Sequence, residues 1–118
     1  MKITPTLVRW MAIAWTIIML IGCLTPHSDL PDELLTWNDK GQHLSIFALF
    51  AILWRMTGFP FITVMVVGLL FGALIEVLQY ILPINRSGDW IDLAADFVGV
   101  LIGLLLAPVV QKMVKIEY

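Results

Sequence analysis

Apolar positions dominate four stretches of this chain, Leu7 to Leu24, Leu44 to about Thr57, Phe59 to Leu82 and Trp90 to Val110, with polar residues gathered between them. A helix rises 1.5 Å per residue, so about 20 residues cross a hydrocarbon layer of roughly 30 Å. The first, third and fourth stretches have that length. The second is short: it crosses only if it begins within the polar segment WNDKGQH and leans, and the alternative is a re-entrant piece packed among the others. The pattern predicts an all-α integral membrane protein of four transmembrane helices, with residues 1–118 forming one domain.

Composition sharpens this picture. Of 118 residues 60% are hydrophobic and 14% charged, and the mean hydropathy is +0.94. Too few polar residues are present to cover a water-soluble core of this size. The net charge of −2 is slight, and no basic stripe with interleaved aromatics marks a nucleic-acid partner. The single cysteine, Cys23, excludes an intrachain disulfide and a cysteine-only metal cluster.

The placement of charge predicts orientation, because cytoplasmic flanks accumulate Lys and Arg. Lys2 and Arg9, Arg55, and Lys112 with Lys115 would share one side of the membrane. The other side has Lys40 and Arg86, but also Asp29, Asp32, Glu33, Asp39 and Asp89. Both termini are therefore expected in the cytoplasm, and TPHSDLPDELLTWNDKGQ reads as an extracytoplasmic segment at the interface. Trp10, Trp54 and Trp90 fall near span ends, where an amphipathic ring anchors at headgroup level. Basic residues, an apolar run and then Leu20-Ile21-Gly22-Cys23 also match a lipoprotein signal, in which Cys23 would become a lipidated N-terminus.

Three acids fall where hydrocarbon is expected: Glu76 in the outer half of the third helix, Asp92 and Asp96 in the outer half of the fourth. An ionised residue at mid-bilayer costs on the order of 3 kcal/mol, so each requires a partner or a purpose. Gly68, Gly72, Glu76 and Gln79 form one stripe of the third helix, and Asp89, Asp92, Asp96, Gly99 and Gly103 one stripe of the fourth. These stripes predict that the two helices touch through glycines and open into an outer polar pocket. Asp39, Lys40 and His43 at the start of the second helix complete it, and Arg86 between the third and fourth can fold over it. Helix-terminal N–H groups account for Asp89 as a cap residue but do not reach Asp96.

The segments DKGQHLSIFALFAILWR (Asp39 to Arg55) and GALIEVLQYILPINRSGDWIDLAADFVGVLIG (Gly72 to Gly103) resemble the VanZ-like family, named for a protein associated with teicoplanin resistance. The resemblance covers somewhat under half the chain. It implies functional positions at Asp39, Lys40, His43, Glu76, Gln79, Arg86 and Asp92, while Asp96 stands where the family pattern has asparagine. It also implies residence in a bacterial inner membrane and an envelope role that modulates glycopeptide tolerance.

The leading reading is a protein that binds, or chemically modifies, an envelope-lipid headgroup. Lys40 and Arg86 would hold a lipid phosphate, His43, Glu76 and Asp92 are the acid–base candidates, and Asp39, Gln79 and Asp96 complete the binding set. Ion- or proton-coupled transport is an alternative, for which four helices are few unless the chain forms a homodimer. A network that merely fixes helix packing is another. A metal held by Asp39, His43, Glu76, Asp92 and Asp96 would suit Mn²⁺, Zn²⁺ or Mg²⁺, but no HExxH or CxxC spacing supports it, and no residue is assigned to a metal. No cofactor is identified.

Overall fold

A computed structural model describes residues 2–25, 39–83 and 90–116. Among these residues the elements are four α-helices, α1 (Pro5–Leu24), α2 (Asp39–Met56), α3 (Phe61–Ile81) and α4 (Trp90–Met113), flanked by two-residue strands β1 (Lys2–Ile3) and β2 (Lys115–Ile116). Thr4 caps α1, its hydroxyl accepting the Leu7 N–H at 3.2 Å, and Pro5 follows where no intrahelical N–H is needed. Between α2 and α3 the chain reverses in four residues through Gly58, whose φ of 109° lies where side chains are strained.

Three contacts fix the helix directions. Parallel pairing of β1 with β2 brings the start of α1 beside the end of α4. Near the other end Gln79 Nε2 donates to the Cys23 carbonyl at 2.8 Å, so α1 and α3 run the same way. The Lys40–Asp92 ion pair joins the first turns of α2 and α4. The helices therefore alternate in direction. One end of the bundle holds both terminal strands and the α2–α3 turn, and the other holds the starts of α2 and α4 and the ends of α1 and α3.

Helices α1, α3 and α4 are long and apolar enough to cross a membrane, with mean hydropathies of 2.0, 2.5 and 2.4. Their outward faces are apolar, as at Ile18, Leu70 and Leu105. The chain thus has the helices of a multi-pass membrane protein. α2 departs from the expectation of four such helices: in 18 residues it carries Asp39, Lys40 and Arg55, and it is not among the span-competent helices. The reason is positional. α2 packs against all three other helices, and Leu49 is its only exposed large hydrophobic residue, so most of its surface meets protein.

The glycine stripes are also used differently from the expectation. Gly68 and Gly72 of α3 do face α4, meeting Val100 and Asp96. Gly99 and Gly103 of α4 face α2 instead: a Cβ at either would run into the carbonyl oxygens of Leu44 and Ala48. Glycines four apart let two backbones approach this closely. Trp10 and Trp90 are exposed near helix ends, as anchors would be, but Trp54 turns inward and its indole N–H donates to Thr16 Oγ1 at 2.9 Å. Cys23 is buried with its carbonyl bonded to Gln79, which makes α1 a working member of the bundle.

Candidate functional site

The end opposite the terminal strands collects polar side chains from three helices. His43 comes from the second turn of α2, Glu76 and Gln79 from the end of α3, and Asp92 and Asp96 from the first two turns of α4. All five are buried, at 2%, 8%, 1%, 2% and 1% exposure respectively. Helical periodicity alone places His43 one turn after Lys40, Gln79 one turn after Glu76, and Asp96 one turn after Asp92. What the fold adds is that the three pairs meet.

His43 is the hub. Its Nδ1 lies 2.6 Å from Asp96 Oδ1 and 3.7 Å from Glu76 Oε1. An ionised carboxylate only accepts, so with Asp96 ionised the His43 Nδ1–H donates to it. Gly72 makes room for this arrangement, since a Cβ there would come within 3.2 Å of Asp96 Oδ2. Asp92 pairs with Lys40, whose side chain is 40% exposed and so lies at the mouth of the cluster. Gln79, one turn after Glu76 on α3, is spent in part on holding α1.

Of the residues expected from sequence, Lys40, His43, Glu76, Gln79, Asp92 and Asp96 thus gather at one end of the bundle. Asp39 opens α2, but its side chain lies outside the described residues, as do Arg86 and Asp89. The sequence did not point to the main-chain carbonyl of Cys23, which tethers Gln79. Nor could it, because a carbonyl has no residue signature.

A second feature also escaped the sequence. Toward the terminal-strand end, an apolar groove of about 250 Å³ lies between α1, α2 and α3, lined by Thr16, Phe50, Trp54, Phe59, Val64 and Phe71 among others. Phe50 and Phe71 stack at 5.3 Å between centroids, and Phe47 lies 6.0 Å from each. Trp15 and Trp54 direct their indole N–H groups inward, to the Ile46 carbonyl and the Thr16 hydroxyl.

The family model described as VanZ/LLP1 matches residues 6–111. The chain belongs to the VanZ/LLP1 family. That match runs through all four helices and contains every residue of the polar cluster, so the resemblance of two segments extends to nearly the whole chain. Searches of curated proteins and of solved structures return no match.

Proposed function

We propose that this VanZ-like membrane protein binds a phosphate-bearing lipid headgroup at its polar end, with His43 as the acid–base group, and that this underlies a role in glycopeptide tolerance. The observation that carries the reading is the His43–Asp96 contact of 2.6 Å, buried beneath a mouth where Lys40 is half exposed. A histidine whose ring is held by a buried carboxylate is arranged to take and return a proton. A plain structural pair has no need of a cation at an accessible mouth.

The same reading takes the bundle as four spans in a bacterial inner membrane with both termini cytoplasmic. α1 and α3 run in the same direction, so if both cross the membrane the chain must return between them, and α2 is the only described helix between them. Lys2, Arg9, Arg55, Lys112 and Lys115 fall at the terminal-strand end, which the positive-inside rule assigns to the cytoplasm. The polar cluster then lies toward the outer leaflet, where headgroups are. Arg86, which the sequence sets between α3 and α4, supplies a second cation for phosphate.

Native mass spectrometry of the purified protein beside Lys40→Ala, Arg86→Ala and Glu76→Gln tests this. Wild type is expected to retain a phosphate-bearing lipid that the two cation variants release while still folded, and the same variants should alter the teicoplanin response of cells. No retained lipid, with variants that differ only in thermal stability, would leave the cluster as a packing network.

A further inference from the structure

The apolar groove between α1, α2 and α3 takes no part in the polar cluster, and its wall is built for a different occupant. Phe50 and Trp54 come from α2, Val67 and Phe71 from α3, and Phe59 from the turn between them. On the α1 side the polar groups are spent on one another. The Trp54 indole N–H donates to Thr16 Oγ1 at 2.9 Å, and that hydroxyl donates to the Ala12 carbonyl at 2.8 Å. Such a wall offers little to water or to a headgroup.

Length and volume decide what fits. Along α3 the lining runs from Thr63 to Phe71, about 12 Å at 1.5 Å per residue, and Phe59 carries it to the turn. That approaches the depth of one leaflet in a hydrocarbon layer of roughly 30 Å. The volume of about 250 Å³ lies below the roughly 300 to 1,000 Å³ of sites for drug-sized molecules, so it suits one slender chain and not a ring system. Phe59 and Val67 are 46% and 50% exposed, so the groove opens sideways. For helices as apolar as α1 and α3, what lies outside is hydrocarbon.

Charge at the end of the groove separates one kind of lipid from the rest. Arg55 donates through Nη1 to the Phe59 carbonyl at 2.9 Å, which holds the guanidinium beside the residue where the groove meets the turn. It is half-buried, and no carboxylate pairs with it among the described residues. The described acids, Asp39, Glu76, Asp92 and Asp96, all belong to the opposite end of the bundle. We propose that the groove holds one acyl chain of an anionic phospholipid from the leaflet at the terminal-strand end, with Arg55 on its phosphate. The guanidinium keeps further N–H groups for phosphate oxygens. The fixed aromatic wall gives the chain close contacts along its length.

The protein is reconstituted in nanodiscs of phosphatidylglycerol and phosphatidylcholine with identical acyl chains and read by native mass spectrometry, beside photolabelling with a phosphatidylglycerol that carries a diazirine in one chain. Wild type is expected to retain phosphatidylglycerol over phosphatidylcholine by roughly tenfold, the worth of a charge-assisted hydrogen bond, with label on Thr63 to Phe71. Val67→Trp, which fills the groove from its exposed side, should abolish retention and label. Arg55→Gln should keep the label and lose the headgroup preference. Helical circular dichroism checks that both variants are folded. Lys40→Ala separates this site from the polar end: retention that survives Lys40→Ala and is lost in Val67→Trp supports the groove, whether or not the polar end also binds lipid. Wild-type label spread evenly around the bundle with no headgroup preference overturns the proposal whatever the variants do. So does a retained lipid that Lys40→Ala releases and Val67→Trp does not, or a dimer whose interface shields Thr63 to Phe71 from label.

Discussion

The two ends of this bundle are built on opposite terms. Toward the terminal strands, Phe47, Phe50, Trp54, Phe59 and Phe71 interlock around α2, with Phe47 and Phe50 buried and Trp54 and Phe71 partly so, and these rings help to hold the helices together. At the other end Glu76 and Asp96 are buried against His43 and Asp92 against Lys40, an arrangement whose charged groups must be desolvated. Packing at the first end supplies the stability that the second consumes. Such a division is expected where a site must hold charges that no stability requirement would select. The close seam of α2 and α4 at Gly99 and Gly103 serves both, since it begins beside His43 and runs toward the aromatic cluster.

That contrast can be broken most severely at the seam. Gly103→Leu places a branched side chain against the Ala48 carbonyl, where backbone and not a flexible side chain stands in the way. A loss of at least about 3 kcal/mol is expected, with most folded protein lost on extraction. Thermal unfolding in detergent, followed by helical circular dichroism, reads this. A variant of unchanged stability would mean that the helices are not this close.

Phe71→Ala sharpens the comparison from the aromatic side. It should cost roughly 2 kcal/mol of stability by removing a half-buried ring from the stack, yet leave lipid binding at the other end unchanged. Loss of both stability and binding in the folded variant would show that the two ends are not separable.

The smallest effect carries the opposite sign. Asp96→Asn keeps an oxygen to accept from His43 Nδ1 and removes one buried negative charge. It is expected to raise stability by about 1 kcal/mol, measured by the same unfolding curve. A clear loss would show that Asp96 is a stabilising partner and that the polar end is a packing network.

Much of the site was legible in the sequence because acids and amides are costly in apolar helices and therefore conspicuous. Glu76, Gln79, Asp92 and Asp96 stand out against their neighbours, and 3.6-residue periodicity assigns each a face. The aromatic groove was not legible for the converse reason. Phe50, Trp54 and Phe71 are ordinary residues in an apolar helix, and nothing in their spacing tells a ring that faces lipid from one that stacks on another helix.

By itself the sequence determined the helical class, the three long apolar helices, the faces that carry the polar residues and the family resemblance, because these depend on local periodicity and composition. Only the tertiary structure decided that α2 occupies the centre, that the α4 glycines serve α2 and not α3, and that His43 meets Asp96 more closely than Glu76. The physical reason is that a helix face fixes the direction of a side chain, while which neighbour it meets depends on how all four helices share the interior. That choice falls to close packing between backbones, where a missing Cβ at Gly99 and Gly103 outweighs any single polar pair.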